Sequence, residues 1–303
     1  MLSLGIDTSC YTTSLVVMDG SSVVFEGRKL LTVKKGTVGL RQADAFFQHI
    51  QNLPFLYKKM VSIVDVNKIS KIVVSNRPRP IEGSYMPVFT AGMRFADVIG
   101  DTLGVEVLNL SHQENHLYAT LLEHGVKGEF VGVHISGGTS EILSVDSDLS
   151  ISIIGETLDL SFGKLIDRLG VYMGLDFPCG KEMDVYTSSE VYPLKTSIKE
   201  MSFNVSGIEN QLKTFYDRDK SIEKVSVTLF RYIGKLLCKV LDIALTETGY
   251  NRIIMSGGVS ANSLVREELI THFGDLVLFT SIEYSTDHAI GNAYYGNVVI
   301  SLN

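Results

Sequence analysis

The sequence predicts a duplicated α/β protein of two lobes, and three observations predict it. At 303 residues the chain exceeds the usual length of one domain. One order of elements, three antiparallel strands followed by alternating helices and strands, is met twice. A short window also repeats without a gap. Ser9 to Asp19 lies over Ser136 to Asp146, so that Ser9 pairs with Ser136, Thr12 with Thr139 and Asp19 with Asp146.

In the first half, Leu2 to Ile6 reads as a buried strand and Leu15 to Met18 as a second, and Asp19-Gly20 turns the chain into a third, Val23 to Gly27. Helical spacing runs through Ala45, Phe46, Ile50 and Leu53 to Met60 and Ile63. A strand (Lys71 to Ser75), a helix (about Val88 to Leu103), a short strand (Val105 to Leu108) and a helix from Ser111 follow. The second half repeats the order with strands at Phe130 to Ile135, Glu141 to Val145 and Ile151 to Gly155. Helices are expected near Ser161 to Met173 and Gly180 to Thr187. A long amphipathic helix carries Val225, Leu229, Ile233, Leu236, Val240 and Ala244 on one face. Arg252 to Met255 (strand), Val259 to Phe273 (helix), Val277 to Phe279 (strand) and Asp287 to Ile300 (helix) complete the pattern. The expected lobes are residues 1–128 and 129–303, the second with a helical insertion at about 160–222.

Hydrophobic residues make up 45% of the chain and charged residues 20%, enough for a filled interior. No apolar run approaches the roughly 20 residues of a membrane span, and the N-terminus has no signal-peptide pattern. Cys10, Cys179 and Cys238 are too few and scattered for a disulfide frame or zinc knuckle, which suits a reducing cytoplasm. With a net charge of -7 and only short basic runs (Arg28-Lys29 with Lys34-Lys35, Arg77 with Arg79), charge gives nucleic-acid binding no support.

The two hairpin turns are rich in Gly, Ser and Thr, whose backbone N–H groups and hydroxyls make anion-binding concavities. Two such turns opposed across a cleft is the logic of the actin, sugar-kinase and Hsp70 architecture, with nucleotide between duplicated lobes. Walker A and GxGxxG signatures are absent. Asp7, Ser9 and Thr12 are phosphate-loop candidates, Asp7 as the holder of a hydrated cation. His112-Gln-Glu-Asn-His116 puts two imidazoles on one helix face, the spacing a divalent metal uses. With 7 histidines in the chain, a chance pair is the competing reading. Glu114 points away from the pair and reads as solvated. Asp287 reads either as a third ligand or as a helix N-cap. Ser256-Gly-Gly-Val-Ser-Ala-Asn262 is either a ligand-facing glycine turn or a plain tight strand–helix turn. Asp159, Asp167 and Asp184 read as partners of ribose hydroxyls or as surface acids. No side chain is singled out as a catalytic acid or base.

Taken in order, these segments resemble the TsaD (Gcp, formerly O-sialoglycoprotein endopeptidase) family of the actin/Hsp70-like superfamily. The matching runs are Gly5-Ile-Asp-Thr-Ser-Cys10, the His112–His116 pentapeptide, Ser136-Gly-Gly138, Gly155-Glu-Thr-Leu-Asp159 and Gly163-Lys-Leu-Ile-Asp167. They continue through Gly174-Leu-Asp-Phe-Pro178, Ser202-Phe-Asn-Val-Ser-Gly207, Ser256 to Asn262 and Thr286-Asp287. The resemblance implies transfer of threonylcarbamoyl from its AMP adduct to N6 of the tRNA adenosine next to the anticodon. It implies that His112, His116 and Asp287 hold one divalent ion, iron or zinc. It implies that Ser136, Gly137, Gly138, Asp167, Gly180, Asp184 and Asn262 contact the nucleotide-bearing substrate. An ATP- or AMP-type nucleotide with magnesium, a TsaB-like paralog and a TsaE-like ATPase are implied with it.

The chain departs from the family pattern at Tyr11-Thr12, Arg77 to Gly83, Ser111, Asn115 and Thr139. Part of the family ligates its metal through a tyrosine two residues before the Ser136 position, and His134 stands there as an expected fourth ligand. Two further readings are a paralog with another carbamoyl acceptor and a non-catalytic partner subunit. Retention of the histidine pair and Asp287 argues against the latter. A small-molecule kinase rests on fold alone, and no dyad or triad supports a protease.

Overall fold

The computed structural model describes residues 2–9, 11–33, 40–126, 128–281, 284 and 286–299; Cys10, Lys34, Lys35 and Ile300, named above, lie outside them. In chain order the principal elements are β1 (Leu2–Thr8), β2 (Thr12–Asp19), β3 (Ser22–Leu30), α1 (Gln42–Val61), β4 (Ile69–Arg77), α2 (Phe89–Leu103), β5 (Val107–Ser111) and α3 (His112–His124). Then follow β6 (Phe130–Ile135), β7 (Ser140–Val145), β8 (Ile151–Glu156), α4 (Phe162–Tyr172), α5 (Gly180–Met183), β9 (Ile198–Lys199), β10 (Ser202–Phe203) and α6 (Ser206–Asp219). The chain ends with α7 (Ile222–Thr248), β11 (Ile253–Ser256), α8 (Ser263–Phe273), β12 (Val277–Phe279) and α9 (Ile290–Tyr294).

Described residues of Met1–Val33, Leu40–Val126 and Thr286–Asn303 form one compact unit, and those of Lys127–Ser285 form another. The first unit's central segment ends at Val126. The C-terminal segment differs from the expected division, because α9 packs on α3 and β1 and so belongs to the first unit.

The first unit has a five-stranded sheet in the order β3-β2-β1-β4-β5. Strands β1, β2 and β3 are antiparallel neighbours, and β4 and β5 run parallel to β1. The second unit repeats the order as β8-β7-β6-β11-β12, with the same mixture of directions. The duplication thus extends to strand order, direction and register. Asp7 on β1 faces Ser14 on β2, and His134 on β6 faces Glu141 on β7, at the offset that pairs Ser9 with Ser136.

Apolar runs make β1, β2, β6 and β7 buried strands. Leu4, Ile6, Leu15 and Val17 pack with Leu53, Leu56 and Met60 of α1 and with Ala96 and Ile99 of α2. In the second unit, Val131, Val133 and Ile142 pack with Phe162 and Leu165 of α4 and with the face of α7 expected from its spacing. Two expected helices start late. Asn262 caps α8, its Oδ1 accepting from Val265 N at 3.0 Å, so the residues from Val259 form a short 3-10 turn before it. The last helix begins at Ile290 rather than Asp287, because the Asp287 carboxylate turns toward two histidines instead of capping. In the expected insertion, α6 and the small β9–β10 hairpin are added to α4 and α5, and α5 ends at Met183.

Candidate metal centre

The site is built on a helix start. Ser111 caps α3: its Oγ accepts from Glu114 N at 3.2 Å, and the Glu114 carboxylate accepts from Ser111 N at 2.5 Å. Glu114 also pairs with Arg77 at 3.4 Å. The expectation of a merely solvated Glu114 is corrected: the residue fixes where the helix begins. That start places His112 in the first turn and His116 one turn on, with ring centroids 4.5 Å apart.

Asp287 comes to the same point from the other end of the chain. Its Oδ1 lies 3.4 Å from His112 Nε2 and 3.9 Å from His116 Nε2, and the two Nε2 atoms are 3.1 Å apart. Nitrogen and oxygen donors placed tetrahedrally around zinc or iron stand about 3.3 Å from one another. The triangle is therefore of the right size. Two imidazoles and one carboxylate, which leave further coordination positions open, suit zinc and ferrous iron alike. The N-cap reading of Asp287 does not hold, since Ala289 occupies that position.

Asp7 completes the arrangement. It is fully buried, and its Oδ1 accepts from His112 Nδ1 at 3.1 Å while its Oδ2 accepts from Ser9 N at 3.2 Å. A carboxylate behind a ligating histidine fixes the ring and its tautomer. Burial alone would lower the His112 pKa, but Asp7 and then Asp287 outweigh it and push it up to about 10. His116 is held below its ordinary value by burial and by the neighbouring His112 charge. Asp287 is half-buried, and although burial works the other way, the two histidines hold it well below the usual carboxylate range. With its pKa at about 10, His112 carries a proton in the metal-free protein at neutral pH.

A metal ion must displace that proton. We expect uptake of zinc to release about one proton at neutral pH, with affinity rising roughly tenfold per pH unit up to the His112 pKa of about 10. Calorimetry in buffers of different ionisation enthalpy reads the proton directly; no release would contradict the assignment of His112.

The other predicted residues fall as follows. Thr12 and Asp287 share an open cavity of about 510 Å³ with Arg28, Lys29, Leu30 and Thr286. Ser9 is tied to α1, its carbonyl accepting from His49 Nε2 at 2.9 Å. His49 Nδ1 meets Thr13 Oγ1 at 2.8 Å, and Asn52 Nδ2 donates to the same hydroxyl at 3.1 Å. Sequence reasoning missed this brace, although His49 and Asn52 lie on one helix face.

In the second unit, Ser136 Oγ accepts from Gly138 N and Thr139 N, both at 3.3 Å, which closes the turn. A Cβ at Gly137 or Gly138 would meet nothing within 4 Å, so the backbone there is open to a ligand. Asp184 and Asn262 are joined at 2.6 Å, and Asp184 also accepts from Ser263 N at 3.0 Å. Asp167 accepts from Cys179 N at 2.9 Å beside Gly180, and burial raises its pKa. Asp159 has a structural task, its carboxylate accepting from Val205 N and Ser206 N at the start of α6. His134 is buried against Ser256 Oγ, 3.2 Å from its Nδ1. A larger cavity of about 660 Å³, lined by Lys235, Lys239 and His272 among others, contains none of the predicted site residues.

A twice-repeated three-plus-two sheet unit defines an actin/Hsp70-like fold, and beside its first hairpin lies a His–His–Asp cluster that could hold a metal ion. Fold comparison agrees. The activator of 2-hydroxyisocaproyl-CoA dehydratase from Clostridium difficile, solved with bound ADPNP, superposes with a TM-score of 0.59 at 17% identity, covering 98% of this chain and 94% of that one. The family model of tRNA N6-adenosine threonylcarbamoyltransferase matches residues 32–294. Relatives bearing that name include one from Francisella philomiragia, 30% identical over 98% of this chain and 95% of its own length. Another, from Mycoplasma mobile, is 27% identical over 95% of each. The chain belongs to the tRNA N6-adenosine threonylcarbamoyltransferase family, TsaD. It is an acyltransferase of tRNA threonylcarbamoyladenosine synthesis, and the readings as a paralog with another acceptor or a non-catalytic subunit are not favoured.

Proposed function

We propose that the protein joins threonylcarbamoyl, taken from threonylcarbamoyl-AMP, to N6 of the tRNA adenosine next to the anticodon, with iron or zinc held by His112, His116 and Asp287. The observation that carries this reading is the convergence of those three side chains, from residues far apart in sequence, within 4.8 Å of one another. When bound, the ion supplies Lewis-acid stabilisation of charge on phosphate and carbamoyl oxygens. The chain's own groups do the rest. Asp7 keeps the Nδ1–H of His112 engaged, so that Nε2 faces Asp287. The Ser136–Gly138 turn offers open backbone to the nucleotide-bearing substrate, with Asp167, Gly180 and the Asp184–Asn262 pair as its further contacts.

His134 is not among the three clustered residues, and we propose it separately as a further metal ligand. In His134→Ala, metal affinity falls about tenfold or more; unchanged stoichiometry and affinity on purified protein would remove it. Among the described residues no helix is long and apolar enough to cross a membrane. We place the protein in the cytoplasm, working with a TsaB-like paralog, a TsaE-like ATPase and an ATP- or AMP-type nucleotide with magnesium.

The test is reconstitution with tRNA whose anticodon reads ANN codons, threonine, bicarbonate, ATP and the partner proteins, followed by nucleoside mass spectrometry. Threonylcarbamoyladenosine should appear with the wild-type protein and not with His116→Ala. Metal-loaded, folded protein that gives no modified adenosine would overturn the proposal.

A further inference from the structure

We propose that Asn115 is a positioning residue that holds the Asp287 carboxylate against the His112–His116 pair. This inference rests on the metal reading above and deepens it. Asn115 lies on α3 between the two histidines but on a neighbouring face, and it is fully buried. Its Nδ2 donates to the His288 carbonyl at 2.5 Å, and its Oδ1 accepts from Asn292 N at 2.9 Å. One side chain thus clamps both ends of the short stretch that follows Asp287, from the next peptide to the first turn of α9.

The task needs a donor and an acceptor on one short, rigid group. Asparagine has both; aspartate lacks the donor, and leucine lacks both. A buried carbonyl and a buried N–H are matched by a single amide, so removing it leaves two backbone groups without their partner.

The clamp is continued through Asn292. Its Nδ2 donates to the Ile6 carbonyl at 2.8 Å and to Ser75 Oγ at 2.9 Å. Ile6 precedes Asp7, and Asp7 holds His112. A closed circuit results, from Asn115 to the Asp287 arm, to Asn292, to β1, to Asp7 and back to α3 through His112. The circuit is possible only because α9 and α3 touch backbone to backbone. A Cβ at Gly291 would stand 1.8 Å from the Asn115 carbonyl oxygen.

Zinc alone is the probe, titrated in competition with a chromophoric chelator at a temperature well below unfolding. Asn115→Leu keeps the size and Asn115→Asp keeps the acceptor; both should weaken zinc binding about 10- to 100-fold. Asn115→Ser, which adds no bulk, serves if the leucine variant does not fold. A role confined to stability would lower the melting temperature of the metal-free protein and leave affinity among folded molecules unchanged. That outcome, or equal affinity in every variant, overturns the inference. Failure of the wild-type protein itself to bind zinc or ferrous iron would instead sink the metal reading on which it stands.

Discussion

His112→Ala is expected to abolish stable metal retention and to lower threonylcarbamoyl transfer by roughly 100- to 1000-fold. The effect is large because two functions end together. One of the clustered donors is lost, and the fully buried Asp7 carboxylate loses its imidazole partner. Removing one member of a buried ion pair costs about 3–5 kcal/mol, so the metal-free variant should also melt earlier at neutral pH. The pH dependence has a definite sign. His112 has its pKa raised, so its contribution is present below its ordinary 6.5 and is lost as pH rises through about 10. Asp7 has its pKa lowered by His112 against the opposing effect of burial, so its contribution is present above its ordinary 3.8 and is lost in acid. The stability difference between wild type and variant should therefore be widest between those limits and shrink toward both. Metal analysis and melting curves across pH check both parts; a variant that keeps one tightly held ion per chain would refute the assignment.

Gly291→Ala should be the most damaging of the small substitutions. The new methyl carbon would lie 1.8 Å from the Asn115 carbonyl oxygen and 3.0 Å from Ala119 N, both of them backbone atoms. No rotamer relieves such a contact, so α9 must move off α3, at a cost of about 3 kcal/mol or more. Since α9 follows Asp287 closely, zinc affinity should fall along with stability. Gly138→Ala is the control, because nothing lies within 4 Å of its added Cβ. It should leave the melting temperature nearly unchanged. Equal melting temperatures for wild type and Gly291→Ala would show that the helices are not in contact as described.

Much of this was legible in the amino-acid order, and the reasons are local ones. The order of elements along the chain follows from apolar runs and turn residues, and the histidine pair follows from helical spacing. Ser111 and Glu114 spell a capping box three residues apart, a signal open to reading in the sequence that assigns Glu114 its task. What stayed hidden depends on contacts between distant segments. That Asp7 lies behind His112 requires residues 105 apart to meet, and the bond from Asn115 to His288 spans 173. No periodicity encodes such distances. The choice between cap and ligand for Asp287 was open for the same reason, since it turns on where α9 begins relative to α3.

The matched registers of the two sheets carry one more implication. Asp7 and His134 occupy equivalent positions, near the end of the first strand in each copy of the repeat. In each copy a serine stands beside it on the adjoining parallel strand: Ser75 helps to lower the Asp7 pKa, and Ser256 Oγ lies 3.2 Å from the His134 imidazole. The two copies thus differ in acid–base character at matched positions: in the first an anion braces a ligand, and in the second an imidazole stands beside its serine.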